Sequence, residues 1–317
     1  MFKIVFFGTP NICVNSLDYL AKCDDVEVCA VVTKVDKPQG RGQKLVAPPI
    51  KQKALEFKLD VLQPKLLRKD EDIINKLKSL KPDFFITFAY GQILSKEILD
   101  IPKYGTINLH ASLLPKYRGA NPIQCAIVNG ETKTGITTML TVEELDAGDI
   151  CKTIEIEITP DMNDDELSFI ISKMAPELIY QTMDELVNKK ICPIKQNHSC
   201  ATFTCKFSKE DAGIDWTLAA MELHNKIRGL CSWPCCYSFM NNKMIKIIQS
   251  KLSNEKSDFP AGTFIGKNKD GLNFSVGNGE VLTIVKVKPE GKNEMRALDW
   301  LNGAKLKIGD KFQMNKE

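Results

Sequence analysis

The sequence contains no apolar run long enough to span a bilayer and no basic-then-apolar segment at its start. A membrane helix needs about 20 mostly apolar residues, and a secretory signal needs that opening segment. We therefore expect a cytoplasmic chain with no membrane partner. Its 317 residues are enough to bury a substantial core and favour two domains.

A disulfide framework is not expected either. The sequence has 11 cysteines, and an odd count in a long chain without a secretion signal favours reduced thiols. A zinc site is the alternative for one set towards the carboxyl end. This set is Cys200, Cys205, Cys231, Cys235 and Cys236. Its spacing fits no standard pair of zinc ligands, so no metal is predicted.

The glycine pattern of a dinucleotide-binding loop is also missing. Gly8 closes the first apolar run in a tight turn, but no further glycines follow at the required spacing, which argues against a nicotinamide cofactor. The first half instead alternates short apolar runs with helix-like patterns. The apolar runs are Ile4–Phe7, Val26–Thr33, Phe84–Ala89 and Thr106–Leu109. This alternation predicts an α/β fold with a Rossmann-like parallel sheet, whose ligands collect at the carboxyl ends of the strands.

Helix-like spacing is found in Ile50–Leu59, Glu71–Leu80 and Asp164–Val187. In the third helix Asp164 is a candidate cap, and Pro176 should kink or split the helix. Farther on, an apolar stripe is typical of core packing. It consists of Trp216, Ala220, Leu223 and Ile227.

Short apolar runs separated by turn-forming residues fill the last part of the chain. The predicted strands are Met244–Ile248, Gly262–Ile265, Leu272–Val276 and Val281–Val287. They predict a small, OB-like β-barrel. We therefore expect a first domain of residues 1–188, a basic linker of residues 189–206 and a carboxy-terminal barrel domain of residues 207–317.

The net charge of +3 hides an uneven distribution. Residues 1–142 carry 20 basic and 14 acidic side chains, residues 143–185 carry 2 and 13, and residues 186–317 carry 21 and 13. The three regions therefore have net charges of +6, −11 and +8. Two basic regions around an acidic one are compatible with binding of a polyanion, and ordinary solvated surface is the alternative.

Of the three histidines in the sequence, His110 has a setting suited to chemistry. It follows Asn108 by two residues at the end of an apolar strand, so both side chains point to the same face. Asp146 lies farther on, in a loop bounded by glycine. An amide can stabilise an oxyanion, an imidazole can accept a proton and a carboxylate can orient the imidazole, which together suit acyl transfer to an amine. A structural Asn and His with a turn Asp is the alternative.

The segment Asn108–Gly119 resembles the signature of formyltransferases that use 10-formyltetrahydrofolate, and Leu145–Ile150 is similar to their second motif. Three further stretches resemble the branch that formylates methionyl-tRNA. They are the basic loop Lys37–Lys44, the segment Lys206–Trp216 and the motifs between Ile227 and Met295. The resemblance implies transfer of the formyl group to the methionine of initiator tRNA, by a monomer. Formylation of a nucleotide sugar or purine precursor stays an alternative, as does a non-catalytic RNA-binding protein.

The resemblance also implies roles for individual residues. The catalytic residues are Asn108, His110 and Asp146. The residues along the folate site are Tyr90, Gly91, Ser112, Leu113, Leu114 and Pro115. The tRNA contacts are Lys37, Arg41, Lys44, Lys206 and Arg228. Arg41 is expected to approach the first base pair of the acceptor stem, which is unpaired in initiator tRNA.

Overall fold

The computed structural model describes residues 1–39, 42–204 and 206–314, and the chain divides into two compact units. Unit 1 comprises residues 1–119, 135–156 and 168–203. Unit 2 comprises residues 120–134, residues 157–167 and the chain from residue 204 onwards. Two segments that precede the predicted boundary at residue 188 thus cluster with unit 2, so the units alternate along the chain.

The elements are numbered in chain order. The strands are β1 (Phe2–Gly8), β2 (Val26–Val32), β3 (Lys37–Gln39), β4 (Lys44–Val46), β5 (Val61–Leu62), β6 (Phe84–Phe88), β7 (Thr106–His110), β8 (Arg118–Gly119), β9 (Lys133–Leu140), β10 (Ile150–Glu157), β11 (Phe203–Thr204), β12 (Tyr237–Met240), β13 (Lys243–Lys256), β14 (Phe264–Lys267), β15 (Leu272–Ser275), β16 (Glu280–Pro289) and β17 (Met295–Arg296). The helices are α1 (Val14–Leu20), α2 (Pro49–Glu56), α3 (Glu71–Ser79), α4 (Lys96–Leu99), α5 (Pro122–Val128), α6 (Asp164–Val187), α7 (Ala220–Gly229) and α8 (Ala297–Ala304).

Unit 1 is built on a seven-stranded sheet in the order β10-β9-β7-β6-β1-β2-β5. The pairs from β7 through β5 are parallel, and β9 joins β7 in antiparallel orientation. The central strands β1 and β6 are buried, as expected of parallel strands covered on both faces. Their side chains Val5, Phe7 and Phe85 share a core with Ile74 and Leu77 of α3. The predicted parallel α/β sheet is confirmed.

The long helix α6 differs from its prediction at its start. It is continuous through Pro176, so the helix does not split there. Its start is capped by Asn163, because the Asn163 N–H donates to Glu166 Oε2 at 3.0 Å and the Glu166 N–H donates to Asn163 Oδ1 at 2.9 Å. This reciprocal capping box places the cap one residue before Asp164, the predicted cap.

Unit 2 contains an antiparallel sheet in the order β12-β13-β16-β15-β14, with β17 also paired to β16. The chain near its carboxyl end bridges both edges, since Gln313 pairs with Phe239 and Lys311 pairs with Thr263. These bridges close the sheet into the predicted barrel. Its core includes the four residues of the predicted apolar stripe, of which Trp216 precedes α7 and stacks on Phe312 at a centroid distance of 5.5 Å.

No helix within the described ranges combines the length and apolar character needed to cross a membrane.

Candidate active site

The strand β7 carries Asn108 and His110 near the carboxyl end of the parallel sheet. Asn108 pairs with Thr87 of β6 and with Met139 of β9, so it lies between two neighbouring strands. This placement fixes its backbone on both sides. The predicted position of a polar site at a strand end therefore matches the observed topology.

Hydrogen bonding orients the side-chain amide of Asn108. The Thr87 hydroxyl donates to Asn108 Oδ1 at 2.7 Å. In the described part of the chain, Nδ2 of Asn108 has no hydrogen-bond partner, and the side chain is half-buried. The amide thus presents an unused N–H donor. Thr87 was not predicted as a site residue, although its hydroxyl is conspicuous within the apolar run Phe84–Ala89.

The side chain of His110 is 6% exposed, and one of its two ring nitrogens has a hydrogen-bond partner. Its Nε2 lies 2.8 Å from the carbonyl oxygen of Tyr117. Because a carbonyl oxygen only accepts, Nε2 carries the hydrogen, and Nδ1 is the basic nitrogen of the neutral ring. Nδ1 lies 3.6 Å from Asp146 Oδ2, which is beyond ordinary hydrogen-bond length but within ion-pair range.

Asp146 is held by its own loop and by the chain after β7. Its Oδ2 accepts the Gly119 N–H at 2.8 Å, and its backbone has a φ of +49°, in the left-handed region. Two residues later, a Cβ on Gly148 would lie 1.6 Å from the carbonyl oxygen of Leu140. Only glycine fits there, which explains the Asp-Ala-Gly sequence and brings the carboxylate to His110.

The segment from Ser112 to Pro115 is fixed by Thr137 of β9. The Thr137 hydroxyl donates to the Ser112 carbonyl at 2.7 Å and accepts the Leu114 N–H at 3.2 Å. Ser112 and Leu114 are buried, while Leu113 and Pro115 are half-buried. The Ser112 carbonyl and the Leu114 N–H are therefore used within the chain, and the folate contacts of Ser112, Leu113, Leu114 and Pro115 stay a prediction.

The predicted folate residues Tyr90 and Gly91 lie in the loop after β6. The Tyr90 ring is buried against Phe7, with centroids 5.4 Å apart, and this burial raises the pKa of its hydroxyl. Only its backbone is therefore suited to a ligand. Gly91 has a φ of +76°, and a Cβ there would lie 2.5 Å from Lys34 Nζ.

Gly91 also lines a basic pocket of about 410 Å³. Its cationic lining residues are Lys34, Lys37, Lys65 and Arg68. Gln92 joins two walls of the pocket, because its Oε1 accepts the Leu67 N–H at 2.9 Å and its Nε2 donates to the Pro64 carbonyl at 3.2 Å. No carboxylate is among the described lining residues. The pocket is therefore suited to an anionic group.

The predicted tRNA residues fall into three groups. Lys37 and Lys44 are exposed on the hairpin of β3 and β4, and Lys206 is exposed in unit 2. Arg41, which falls between these two strands in the sequence, lies outside the described residues. Arg228 is 7% exposed, and burial lowers its pKa.

The guanidinium of Arg228 is used inside unit 2. It donates to the carbonyl oxygens of Met162 at 2.7 Å and Thr159 at 3.3 Å, and to Asn225 Oδ1 at 3.0 Å. A buried guanidinium with these partners is poorly placed to bind a phosphate. We therefore replace the predicted tRNA contact of Arg228 with a structural role.

The described cysteines are not clustered with other potential metal ligands. Within the described ranges, no group of three or more His, Cys, Asp or Glu side chains is arranged to hold a metal ion. The described cysteines are free thiols, and Cys205 lies outside those ranges. Burial raises the pKa of Cys236 to about 12 and also raises the pKa of Cys231, so both are thiols rather than thiolates at neutral pH.

Two family models match the sequence. The family described as "Formyl transferase" matches residues 2–183, and the family described as "Formyl transferase, C-terminal domain" matches residues 206–305. The chain is 44% identical over 306 residues to the "Methionyl-tRNA formyltransferase" of Clostridium novyi (strain NT), covering 96% of this chain and 98% of the relative. It is 40% identical over 317 residues to that of Bacillus subtilis (strain 168), covering 100% and 99%.

The fold resembles that of solved formyltransferases. A sugar 3N-formyl transferase, solved in the presence of dTDP and 5-N-formyl-THF, superimposes with a TM-score of 0.66 at 22% identity. The match covers 92% of this chain and 99% of that one. At this level of identity the likeness concerns the fold.

Proposed function

The chain belongs to the methionyl-tRNA formyltransferases, and we propose that it transfers a formyl group from 10-formyltetrahydrofolate to the α-amino group of methionine on initiator tRNA. The observation that supports this most directly is the unused Nδ2 donor of Asn108 on the same strand as His110, whose Nδ1 faces Asp146. Formyl transfer to an amine needs an oxyanion donor and a base, and these residues supply both.

Asn108 stabilises the oxyanion. When the amine attacks the formyl carbon, the carbonyl oxygen gains negative charge, and Nδ2 of Asn108 donates to it. The bond from Thr87 holds Oδ1 away, so the amide does not have to reorient during the reaction. Donors fixed in this way stabilise the transition state more than mobile water does.

His110 moves the proton. Its Nδ1 accepts a proton as the amine forms its bond to carbon, and the resulting imidazolium faces the Asp146 carboxylate. The proton then goes to the leaving nitrogen of tetrahydrofolate as the old carbon–nitrogen bond breaks. The Tyr117 carbonyl keeps the ring in one orientation throughout, because it accepts from Nε2 in both charge states.

The basic pocket beside Gly91 fits the charged end of the formyl donor. A folate ends in a glutamate, whose carboxylates are its main charges, and the pocket is lined by cations such as Lys65 and Arg68. We assign this pocket to the glutamyl end and the loop of Tyr90 and Gly91 to the neighbouring part of the donor. Replacing Arg68 with Met should raise KM for the donor and leave kcat nearly unchanged.

Exposed lysines supply the attraction to tRNA. The exposure of Lys37, Lys44 and Lys206 supports contacts with phosphates, which give affinity that falls as salt rises but carry no sequence preference. The whole catalytic trio lies in unit 1 of one chain, so no second copy is needed to complete the site. We propose a monomer acting in the cytoplasm.

The test is a comparison of acceptors. With 10-formyltetrahydrofolate as donor, we expect rapid formylation of methionine on charged initiator tRNA and little of free methionine, a nucleotide amino sugar or a purine precursor. Equal or faster reaction with a small-molecule acceptor would overturn the tRNA assignment. No reaction with any acceptor would favour the non-catalytic alternative.

A second experiment addresses how the initiator tRNA is selected. We propose that Arg41 enters the acceptor stem at its open end pair, because a planar guanidinium can both stack on a base and donate several hydrogen bonds. Arg41→Ala should lower activity strongly with little change in KM for folate. Arg41→Lys, the charge-matched control, should rescue poorly. Near-normal Arg41→Lys kinetics on tRNAs with open and with closed end pairs would reduce Arg41 to a phosphate contact.

A further inference from the structure

The segment after α6, predicted to be a basic linker, contains a buried glutamine within unit 1. Gln196 is 5% exposed and lies two residues after Ile194, which pairs with Ile150 of β10 through two main-chain hydrogen bonds of 2.8 Å. A polar side chain at this depth needs partners for its amide groups. These partners lie in the catalytic loop and at the end of the signature segment.

One end of the Gln196 amide holds the loop of Asp146. Its Nε2 donates to the carbonyl oxygens of Asp146 and Gly148, each at 2.8 Å. Both are main-chain groups, so these bonds fix the backbone that carries the catalytic carboxylate. The left-handed backbone conformation at Asp146 is unusual for a residue other than glycine and needs such support.

The other end of the amide accepts from a buried arginine. Arg118 is 1% exposed, and its Nη2 and Nε lie 2.7 Å and 3.1 Å from Gln196 Oε1. A guanidinium only donates, so it fixes the oxygen of Gln196 on its own side and forces the NH₂ group towards the two carbonyls. The amide therefore has one orientation, and a carboxylate in its place would lose both loop contacts.

Arg118 is also the middle of three consecutive residues that contact the site. The Tyr117 carbonyl accepts from His110, and the Gly119 N–H donates to Asp146 Oδ2. The side chain between them binds Gln196. One short segment thus holds the imidazole, the carboxylate and, through Gln196, the backbone beneath that carboxylate.

We propose that Gln196 is a positioning residue for formyl transfer, which fixes the Asp146 loop relative to His110 through Arg118. This proposal rests on the proposed function, which supplies the catalytic role of Asp146. The separation of 3.6 Å between His110 Nδ1 and Asp146 Oδ2 has no direct hydrogen bond to maintain it, so it depends on this scaffold.

Two substitutions in the full-length protein test the proposal. Gln196→Met removes the two bonds from Arg118 and the two bonds to the loop carbonyls, and Gln196→Glu keeps an acceptor for Arg118 while losing both donors to the loop. Each should lower kcat by about ten- to a hundredfold, the order expected when a catalytic group is displaced by about 1 Å, with little change in KM for tRNA. Gln249→Glu, on an exposed face of the barrel, makes the same charge change and should retain the wild-type kcat.

A double substitution separates positioning from mere stability. If Gln196 acts by placing the Asp146 carboxylate, Gln196→Met should lower kcat far less in an Asp146→Asn background than in the wild type. Equal losses in both backgrounds would overturn the proposal, and so would a wild-type kcat in either folded Gln196 variant. Failure of both variants to fold would overturn it as well, since the network would then maintain the fold. If the proposed function itself were wrong, Asp146→Asn alone would leave kcat unchanged, which distinguishes that failure from a failure of the Gln196 proposal.

Discussion

Each unit contains a buried histidine whose Nε2 faces a main-chain carbonyl, and the two differ at Nδ1. In unit 2, His224 Nε2 lies 3.1 Å from the Pro160 carbonyl and Nδ1 lies 3.0 Å from Ser250 Oγ, so both nitrogens have hydrogen-bond partners. In unit 1, the one partner of His110 Nδ1 among the described residues is the Asp146 carboxylate at 3.6 Å. Burial therefore does not distinguish the two histidines, whereas the bonding of Nδ1 does.

The neighbouring asparagines differ in what holds the side-chain oxygen. Asn225 in unit 2 accepts from Arg228, which is itself bonded to main-chain carbonyls. Asn108 in unit 1 accepts from the hydroxyl of Thr87 at a strand end. Within the described residues neither Nδ2 has a hydrogen-bond partner, but Asn225 is 6% exposed inside a structural cluster whereas Asn108 is half-buried.

The largest expected effect separates the two asparagines. Asn108→Ala should lower kcat by about a hundred- to a thousandfold, because it removes the oxyanion donor. Asn225→Ala, its matched control, should lower stability and leave kcat unchanged. Steady-state kinetics and thermal melting of both variants provide the measurement, and a similar loss of kcat in each would show that the contrast has no catalytic meaning.

A smaller effect is expected at Arg228. Arg228→Met should cost roughly 1.5–3 kcal/mol in the free energy of unfolding, the range for hydrogen bonds to charged groups, with kcat unchanged. Arg228→Lys retains the charge and serves as control for an electrostatic contact. A rise in KM for tRNA at low salt in the Met variant, absent from the Lys variant, would restore the original tRNA assignment.

The smallest effect concerns pH. Burial lowers the pKa of His224 from its ordinary value of 6.5, so below that value protons bind the unfolded chain in preference to the folded one. The stability contributed by the neutral ring is present above the unfolded pKa and is lost as pH falls through the folded pKa. The groups facing the ring are Ser250, the Pro160 carbonyl, Asp161 and Arg228.

Melting curves measure this dependence. The decrease in Tm between about pH 7.5 and about pH 5 should be smaller in His224→Gln, which cannot titrate, than in the wild type. An equal decrease in both proteins would assign the acid sensitivity to other groups.

Local pattern was enough to predict the elements that carry the site. The runs Ile4–Phe7 and Thr106–Leu109 appear as β1 and β7 within about two residues at each end, because buried parallel strands need continuous apolar sequence. The Asn-x-His spacing on an extended strand likewise predicted a shared face. The predicted roles of Asn108, His110 and Asp146 stay proposals.

Contacts between distant segments could not be predicted in the same way. Gln196 lies in an aperiodic stretch, and its Nε2 donates to main-chain carbonyls 48 and 50 residues away. Because every residue has a main-chain carbonyl, no local sequence pattern indicates these contacts. In the sequence, Arg228 cannot be distinguished from an arginine that binds phosphate. Its burial in the structure shows that its guanidinium is used within the fold. The capping residue of α6 was predicted one position too late, because Asn163 and Asp164 are both favourable capping residues.

The most direct test of the account is a paired substitution of the two buried histidines, His110→Asn and His224→Asn, with kcat for charged initiator tRNA and Tm measured on both proteins. We predict that His110→Asn lowers kcat by about a hundredfold or more with a Tm close to wild type, because it removes the base while retaining a polar side chain. His224→Asn should lower Tm with kcat close to wild type. A folded His110→Asn protein with normal turnover, or a loss of turnover confined to His224→Asn, would contradict the account.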